Sequence, residues 1–472
     1  MLNLLGTVLI DDKEDELYEI LNSISAAGIP CIPIHYRNEA ENQSGIDHID
    51  LKNVKPRVII TDLNLTETGS LNAKTLVGPI AKVLKPITDF GPYILLFWSK
   101  NEQLVEDVVE QLTERFHSEV NLPIYWDIIS KSEYKDKPLE LKKKIETLIK
   151  NSPLFNALSD WENRITCAAQ KTSNALYELT MPSGCEPAQK TELHKKQFTK
   201  ALALIGNETV GLKNASEYPS LAIDLGLSPL LQDQLQVSNS NEDLWASAVP
   251  LIGERQVLDE KIKSSLNTFY HLERVAPTFR KDCRGVFVEL SPNVRATSEN
   301  LNKFEDKLGS NLKSIIHDEF LTTNDIEGLD GITPKKFREK ARESLRLGFI
   351  ELSAVCDQAQ KKTKLHQYLL AALVPEEFEK LTIFTNNEGV ERSTSHEGIY
   401  RLPKIQIDNV IYILKLSFKY QIGTKASSMV NKRQYENSWF GEPLFRLKDQ
   451  ILSDISFKCA QYSSRPGITR FD

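Results

Sequence analysis

The sequence predicts a chain of mixed α/β class in three parts. A doubly wound, five-stranded parallel sheet comes first, a mainly helical region follows, and a mixed α+β region closes the chain. Three observations predict this. Strand-like and helix-like segments alternate through residues 1–150, the pattern is mostly helical over 151–280, and strand-like runs return within 281–472. Those spans are the expected domains.

Each element has its own pattern. "GTVLI" is an unbroken apolar run that suits a strand buried on both faces, and "EDELYEILNSISAAG" after it has helical spacing. "PCIPIHY" and "RVIIT" read as the second and third strands, followed by the helix "AKTLVGPIAKVLKP". "YILLFW", the helix "EQLVEDVVEQLTERF", the strand "PIYWDIIS" and the helix "PLELKKKIETLIKN" complete the alternation. Such βα repetition implies right-handed crossovers, with polar residues at the carboxyl ends of the strands converging on one edge. In "KNSPLFNALSDWENRIT", Pro153 is expected to break one helix before another begins near Ser159 or Asp160. Helices are then expected at "NRITCAAQKTSNALYEL", "LHKKQFTKALALIG" and "LDEKIKSSLNTFYHLE". "GVFVELSP" reads as a strand, and "NKFEDKLGSNLKSIIHDEF" and "PKKFREKARESLRLG" read as helices. "LTIFT", "GIYRLP" and "NVIYILKLSFKY" are strand-like, and "PLFRLKDQILSDISFKCAQYSSR" is expected to close the chain as a helix.

Composition narrows the class. The chain has 472 residues, 26% charged and 40% hydrophobic, as soluble globular proteins do. A net charge of -7 argues against broad, sequence-independent binding of nucleic acid. Cys31, Cys167, Cys185, Cys283, Cys356 and Cys459 show no CxxC spacing, which disfavours a zinc module or disulfide framework and fits a reducing cytoplasm. The opening "MLNLLGTVLIDDKEDE" lacks the features of a signal peptide, and no apolar run is long enough to span a bilayer. A cytoplasmic protein without membrane association is expected.

Four strand ends then collect chemistry. The first strand runs into Asp11 and Asp12, the third ends at Asp62, the fourth at Ser99 and the fifth at Lys131. Neighbouring carboxylates resist ionising together unless a cation joins them. Mg²⁺, a hard ion preferring oxygen ligands, would relieve that repulsion. Asp62 could then attack a phosphoryl group to form an acyl phosphate, with Ser99 and Lys131 contacting phosphoryl oxygens.

In order, strand-end placement and residue type, these positions resemble the receiver domain of two-component response regulators. The resemblance covers residues 1–150 and implies a flavodoxin-like sheet. It implies that Asp62 is the phosphoacceptor, that Asp11, Asp12, Asp62 and the Asn64 backbone carbonyl bind Mg²⁺, and that Ser99 and Lys131 are the family's hydroxyl and lysine. A histidine kinase is the implied partner. The chain departs from the family at Ser132, where proline commonly follows the lysine, and at Lys100, where a small residue is usual. Ile128 stands where receivers often carry a switching Tyr or Phe, which removes the usual moving part of the relay. The whole chain resembles the effector-less response regulator of the Detocs type of bacterial anti-phage system. That resemblance implies a phosphate sink competing with a second response regulator for one kinase. Asn64 and Asn101, two positions after Asp62 and Ser99, are where an amide could influence water attacking the acyl phosphate.

Beyond residue 150 no helix-turn-helix with a basic recognition helix, P-loop, HExxH or GxSxG is found. His271 in "FYHLE" suits a phosphotransfer histidine or, more commonly, a structural one. Cys356, Asp357 and Gln360 in "ELSAVCDQAQKKTK" suit a thiol site or a buried cysteine at a helix start. Arg465 in "SSRPG" suits an anion contact or a terminating turn. A receiver-gated enzyme built on Cys356, Asp357 and Arg465 is thus one alternative, and a phosphorylation-controlled interaction scaffold is another.

Overall fold

The computed structural model describes residues 6–26, 28–37, 45–47, 49–51, 53–66, 72–134, 137–184, 186–237, 241–321, 333–354, 357–358, 363–385, 391–392, 398–424 and 439–464. The chain packs as two compact units, Met1–Leu202 with Asp224–Arg255, and Ala203–Ile223 with Gln256–Asp472.

The first unit contains β1 (Thr7–Asp11), α1 (Glu14–Ala26), β2 (Cys31–His35), β3 (Val58–Asp62), α2 (Ala73–Leu84), β4 (Ile94–Ser99), α3 (Val105–Phe116) and β5 (Tyr125–Ser130). A single helical turn, α4 (Lys131–Tyr134), leads to α5 (Pro138–Lys150) and the long α6 (Pro153–Leu179). The five strands are parallel, in the order β2-β1-β3-β4-β5. This is the expected doubly wound sheet, in the flavodoxin-like order. Interior strand β4 is buried at all six positions, as a run packed on both faces must be. Pro33 is tolerated because β2 is an edge strand. Leu76, Val77 and Ile80 of α2 and Val108 and Leu112 of α3 cover one face. Leu17, Ile20 and Ile24 of α1, Leu141 and Ile145 of α5 and Phe155 of α6 cover the other.

One helix ends just before Pro153 and another follows, as the sequence suggested, but the second does not wait until Ser159 or Asp160. Pro153 occupies the first turn of α6, where its missing N–H costs nothing, so the helix begins six residues before Ser159. Helices α7 (Pro187–Val210), α8 (Leu212–Glu217), α9 (Pro219–Val237), α10 (Glu242–Ala248) and α11 (Glu260–His271) follow.

The second unit is built on an antiparallel sheet. Its elements are β6 (Leu272–Arg274), β7 (Val286–Leu290), α12 (Asn293–Ala296), α13 (Ser298–Leu308), α14 (Leu312–Ile315), α15 (Pro334–Ser344), β8 (Arg346–Glu351) and β9 (His366–Pro375). Short pairs β10 (Phe384–Thr385) and β11 (Glu391–Arg392) precede β12 (Ile399–Arg401), β13 (Ile405–Ile407), β14 (Val410–Thr424), β15 (Phe440–Leu447) and α16 (Asp449–Ser463). The order is β12-β14-β9-β8-β7-β15-β6, with β13 also pairing to β14. Phe304 of α13, Ile315 of α14 and Ala341 of α15 pack on one face, and Leu452, Ile455 and Cys459 of α16 on the other.

Three local expectations change here. "PLFRL" is the end of β15, whose burial alternates with the period of two that a strand requires. "RLG" belongs to β8 and not to the preceding helix. The first two residues of "LTIFT" close a 3₁₀ turn at Glu376–Thr382 that buries Phe378 and Leu381, three apart on one face, and the strand is confined to Phe384–Thr385.

Candidate functional site

Strand order determines where a site can form. In a doubly wound sheet the crevice lies at the carboxyl edge where the order reverses, between β1 and β3 here. Asp11 ends β1 and Asp62 ends β3. Asp12 follows Asp11, and one carboxylate oxygen from each of Asp11, Asp12 and Asp62 lies within 4.8 Å of the others.

Lys131, the first residue after β5, reaches across to this notch. Its Nζ lies 3.0 Å from Asp11 Oδ2, 3.1 Å from Asp62 Oδ1 and 2.6 Å from Glu16 Oε2. Side-chain exposure grades from 0% at Asp11 through 9% at Lys131 and 13% at Asp62 to 27% at Glu16, so the cluster opens outward at its Glu16 rim. The Lys13 amide donates to Asp11 Oδ1 at 2.9 Å, and His35 Nε2 donates to the Asp12 carbonyl at 3.0 Å. The first bond fixes the turn after β1, and the second holds it against β2.

The charges respond to burial and to one another. Burial raises the Asp62 carboxyl above its ordinary value and Asp11 adds to that, against the pull of Lys131. Burial alone would lower Lys131, yet Asp62, Asp11 and Glu16 together raise it well above the usual lysine range. Burial also acts to raise Glu16, but its bond to Lys131 and the charges of Lys131, Lys13 and Lys100 leave it lowered.

Ser99 is buried at the end of β4, one residue beyond Trp98, whose Cα pairs with that of Asp62. Its hydroxyl accepts the Asn101 amide at 3.0 Å. Asn64 follows β3 by two residues, and its Oδ1 is buried without a hydrogen-bond partner. Ile128 lies in β5, partly buried against the core. Asp11, Asp62 and Lys131 therefore meet within ion-pairing range, with an Asp12 oxygen within 4.8 Å of the other two carboxylates, and Ser99 and Asn64 lie at or just beyond adjoining strand ends.

Glu16 was not among the sequence candidates. The only signal was its spacing, four residues after Asp12 in "DDKEDE", and it coincides with the acidic first turn that any helix favours. His271 lies at the end of α11 in the second unit, where burial and Lys448 lower its basicity. Asp357 is exposed, and Cys356, Gln360 and Arg465 lie outside the described residues.

The donor set suits a hard divalent cation. Three carboxylates with closely grouped oxygens and an orphaned amide oxygen two residues from Asp62 are the oxygen ligands such an ion prefers. Among the described residues no helix is long and apolar enough to cross a membrane.

No family model matches the chain. No curated protein matches it either. Among solved structures it aligns with the RcsB response regulator of Salmonella typhimurium at 16% identity, over 54% of this chain and 95% of that one, with a TM-score of 0.19. The fold assignment rests on strand order and connectivity, independently of that alignment.

Proposed function

We propose that the chain is a response regulator whose amino-terminal unit accepts a phosphoryl group on Asp62 from the phosphohistidine of a histidine kinase. The observation that carries this is the buried Lys131 ammonium bridging Asp11 and Asp62 at the switch point of a doubly wound sheet. In the transfer, an Asp62 carboxylate oxygen bonds to phosphorus as the P–N bond to the kinase histidine breaks, and the leaving imidazole takes up a proton. Lys131 and the Ser99 hydroxyl are the groups that would contact the transferred oxygens. Asp11, Asp12, Asp62 and the Asn64 carbonyl would hold Mg²⁺, which when bound supplies positive charge for the phosphoryl oxygens.

The finer reading is a phosphate sink, of the kind found in Detocs-type anti-phage systems, that competes with a second response regulator for the kinase. Ile128 in place of a switching aromatic supports it, because phosphate would then be accepted without the usual relay. A sink also requires hydrolysis, and Asn64 and Asn101 stand where an amide could orient the attacking water.

Labelling tests the main claim. Incubated with a small-molecule phosphoryl donor and Mg²⁺, the protein should gain one hydroxylamine-sensitive phosphate, and Asp62→Ala should gain none. Equal labelling of Asp62→Ala would end this reading.

A further inference from the structure

We infer that Glu16 is a positioning residue for Lys131: it holds the ammonium at the rim of the notch while the carboxylates beneath exchange partners during phosphoryl transfer. This rests on the phosphoacceptor reading above and deepens it.

An ammonium has three N–H donors, and Lys131 has three carboxylates around it at 2.6, 3.0 and 3.1 Å. Two of them, Asp11 and Asp62, belong to the closely grouped set suited to a divalent cation. Glu16 stands outside that set. A dication beside Asp11 and Asp62 would compete for their oxygens and repel the ammonium, weakening two of its three attachments at once. The bond to Glu16 is the shortest of the three and the one that such competition leaves in place.

Glu16 is also fixed from behind. It sits in the first turn of the 13-residue helix α1, whose Leu17, Ile20 and Ile24 are buried in the core. The carboxylate is therefore presented from a rigid element, and Lys131 follows directly from β5. A rival role for Glu16 would be to draw Lys131 away from the phosphoryl site. The geometry opposes that role, because a single position of Nζ satisfies Glu16 and Asp62 together. Glu16 thus holds the ammonium where a phosphoryl oxygen on Asp62 would need it.

The test uses the full chain with acetyl phosphate as donor, comparing Glu16→Ala and Glu16→Gln with the unaltered protein. Mg²⁺ affinity is read separately from tryptophan fluorescence, since Trp98 adjoins Asp62 in the sheet. At saturating Mg²⁺, Glu16→Ala should take up phosphate about tenfold more slowly, with the Mg²⁺ dissociation constant little changed. Glu16→Gln keeps an acceptor oxygen at the same reach and should recover most of the rate. Uptake by Glu16→Ala at the unaltered rate or faster would overturn the inference. So would a rate loss that Glu16→Gln shares in full, or one accompanied by an equal weakening of Mg²⁺ binding. Failure of the unaltered protein to take label would instead overturn the phosphoacceptor reading, and this inference with it.

Discussion

Burial acts against the charge of both Asp62 and Lys131, and their neighbours decide that the outcomes differ. Lys131 is shared among three acids, so their attractions add and its charge is secure. Asp62 receives only part of one ammonium and has Asp11 beside it, so its carboxyl is raised above the ordinary 3.8. A raised carboxyl favours folding while protonated, and that contribution is lost as pH rises through the folded-state value. Glu16 is lowered, so its contribution is present above the ordinary glutamate value of 4.5 and is lost as pH falls through the folded-state value. The two should therefore respond with opposite sign in chelator-treated protein. At neutral pH Asp62→Asn should melt above the unaltered chain by roughly 2–4 °C, the response of a unit of this size to about 1 kcal/mol. Glu16→Gln should melt below it. Both differences should shrink on acidification towards the ordinary carboxylate range, as thermal melts followed by circular dichroism can check. Shifts of the same sign would contradict the charge distribution described. Asp11, Asp12, Asp62 and Lys131 were legible in the sequence because each sits at the end of an apolar run, where a parallel sheet exposes its edge. Glu16 was not, because an acid in a first helical turn needs no partner to explain it.

The first unit extends beyond α5 because α6 completes the packing of the sheet. Phe155 and Ala157 are fully buried or nearly so, and Phe155 joins the face formed by α1 and α5. Seven residues further along, Glu162 forms a bidentate pair with Arg57, at 2.9 Å to Nε and 2.6 Å to a terminal nitrogen. Arg57 also donates to the carbonyls of Phe90 and Pro92 at 2.6 and 3.3 Å, tying the helix to the loop before β4. Phe155→Ala should therefore destabilise the first unit by about 3–5 kcal/mol, the usual cost of removing a buried phenylalanine. Leu179→Ala, at the 80% exposed far end of the same helix, should change stability by less than about 0.5 kcal/mol. Equal effects, read from urea denaturation, would show that α6 does not belong to this core. The long helix was legible from its spacing, but its start was not. Proline signals both the end of one helix and the first turn of the next, and only the packing of Phe155 distinguishes the two. "PLFRL" was misread for a related reason: five residues sample too little of either period, and pairing to β7 and β6 decides the matter.

At the scale of the whole chain, two units with separate cores carry very different sequence signals. The parallel sheet was legible because each of its strands is a short apolar run followed by a helix or loop. The antiparallel sheet was only partly so, since β9 pairs with β14 across a long stretch of sequence and with a register shift between Leu416 and Gln421. The acid–lysine cluster belongs wholly to the first unit, and on the proposed function Ile128 stands where a switching aromatic would be needed to pass the signal on. Occupancy of Asp62 should thus be felt where its ligands are anchored and little elsewhere. A ligand bound only by the folded form stabilises by about 2.7 kcal/mol at one hundred times its dissociation constant. With Mg²⁺ and beryllofluoride, a phosphoryl mimic, amide hydrogen exchange should slow by up to about a hundredfold in β1, β3, β4 and β5, the strands that carry the site. Amides of β7, β8 and β9 should keep their rates. Asp62→Ala should show neither effect, which separates site occupancy from non-specific action of the salt. Comparable slowing in the second sheet would mean that phosphorylation is transmitted to the carboxyl region, and a gated output would then account for the protein better than a sink.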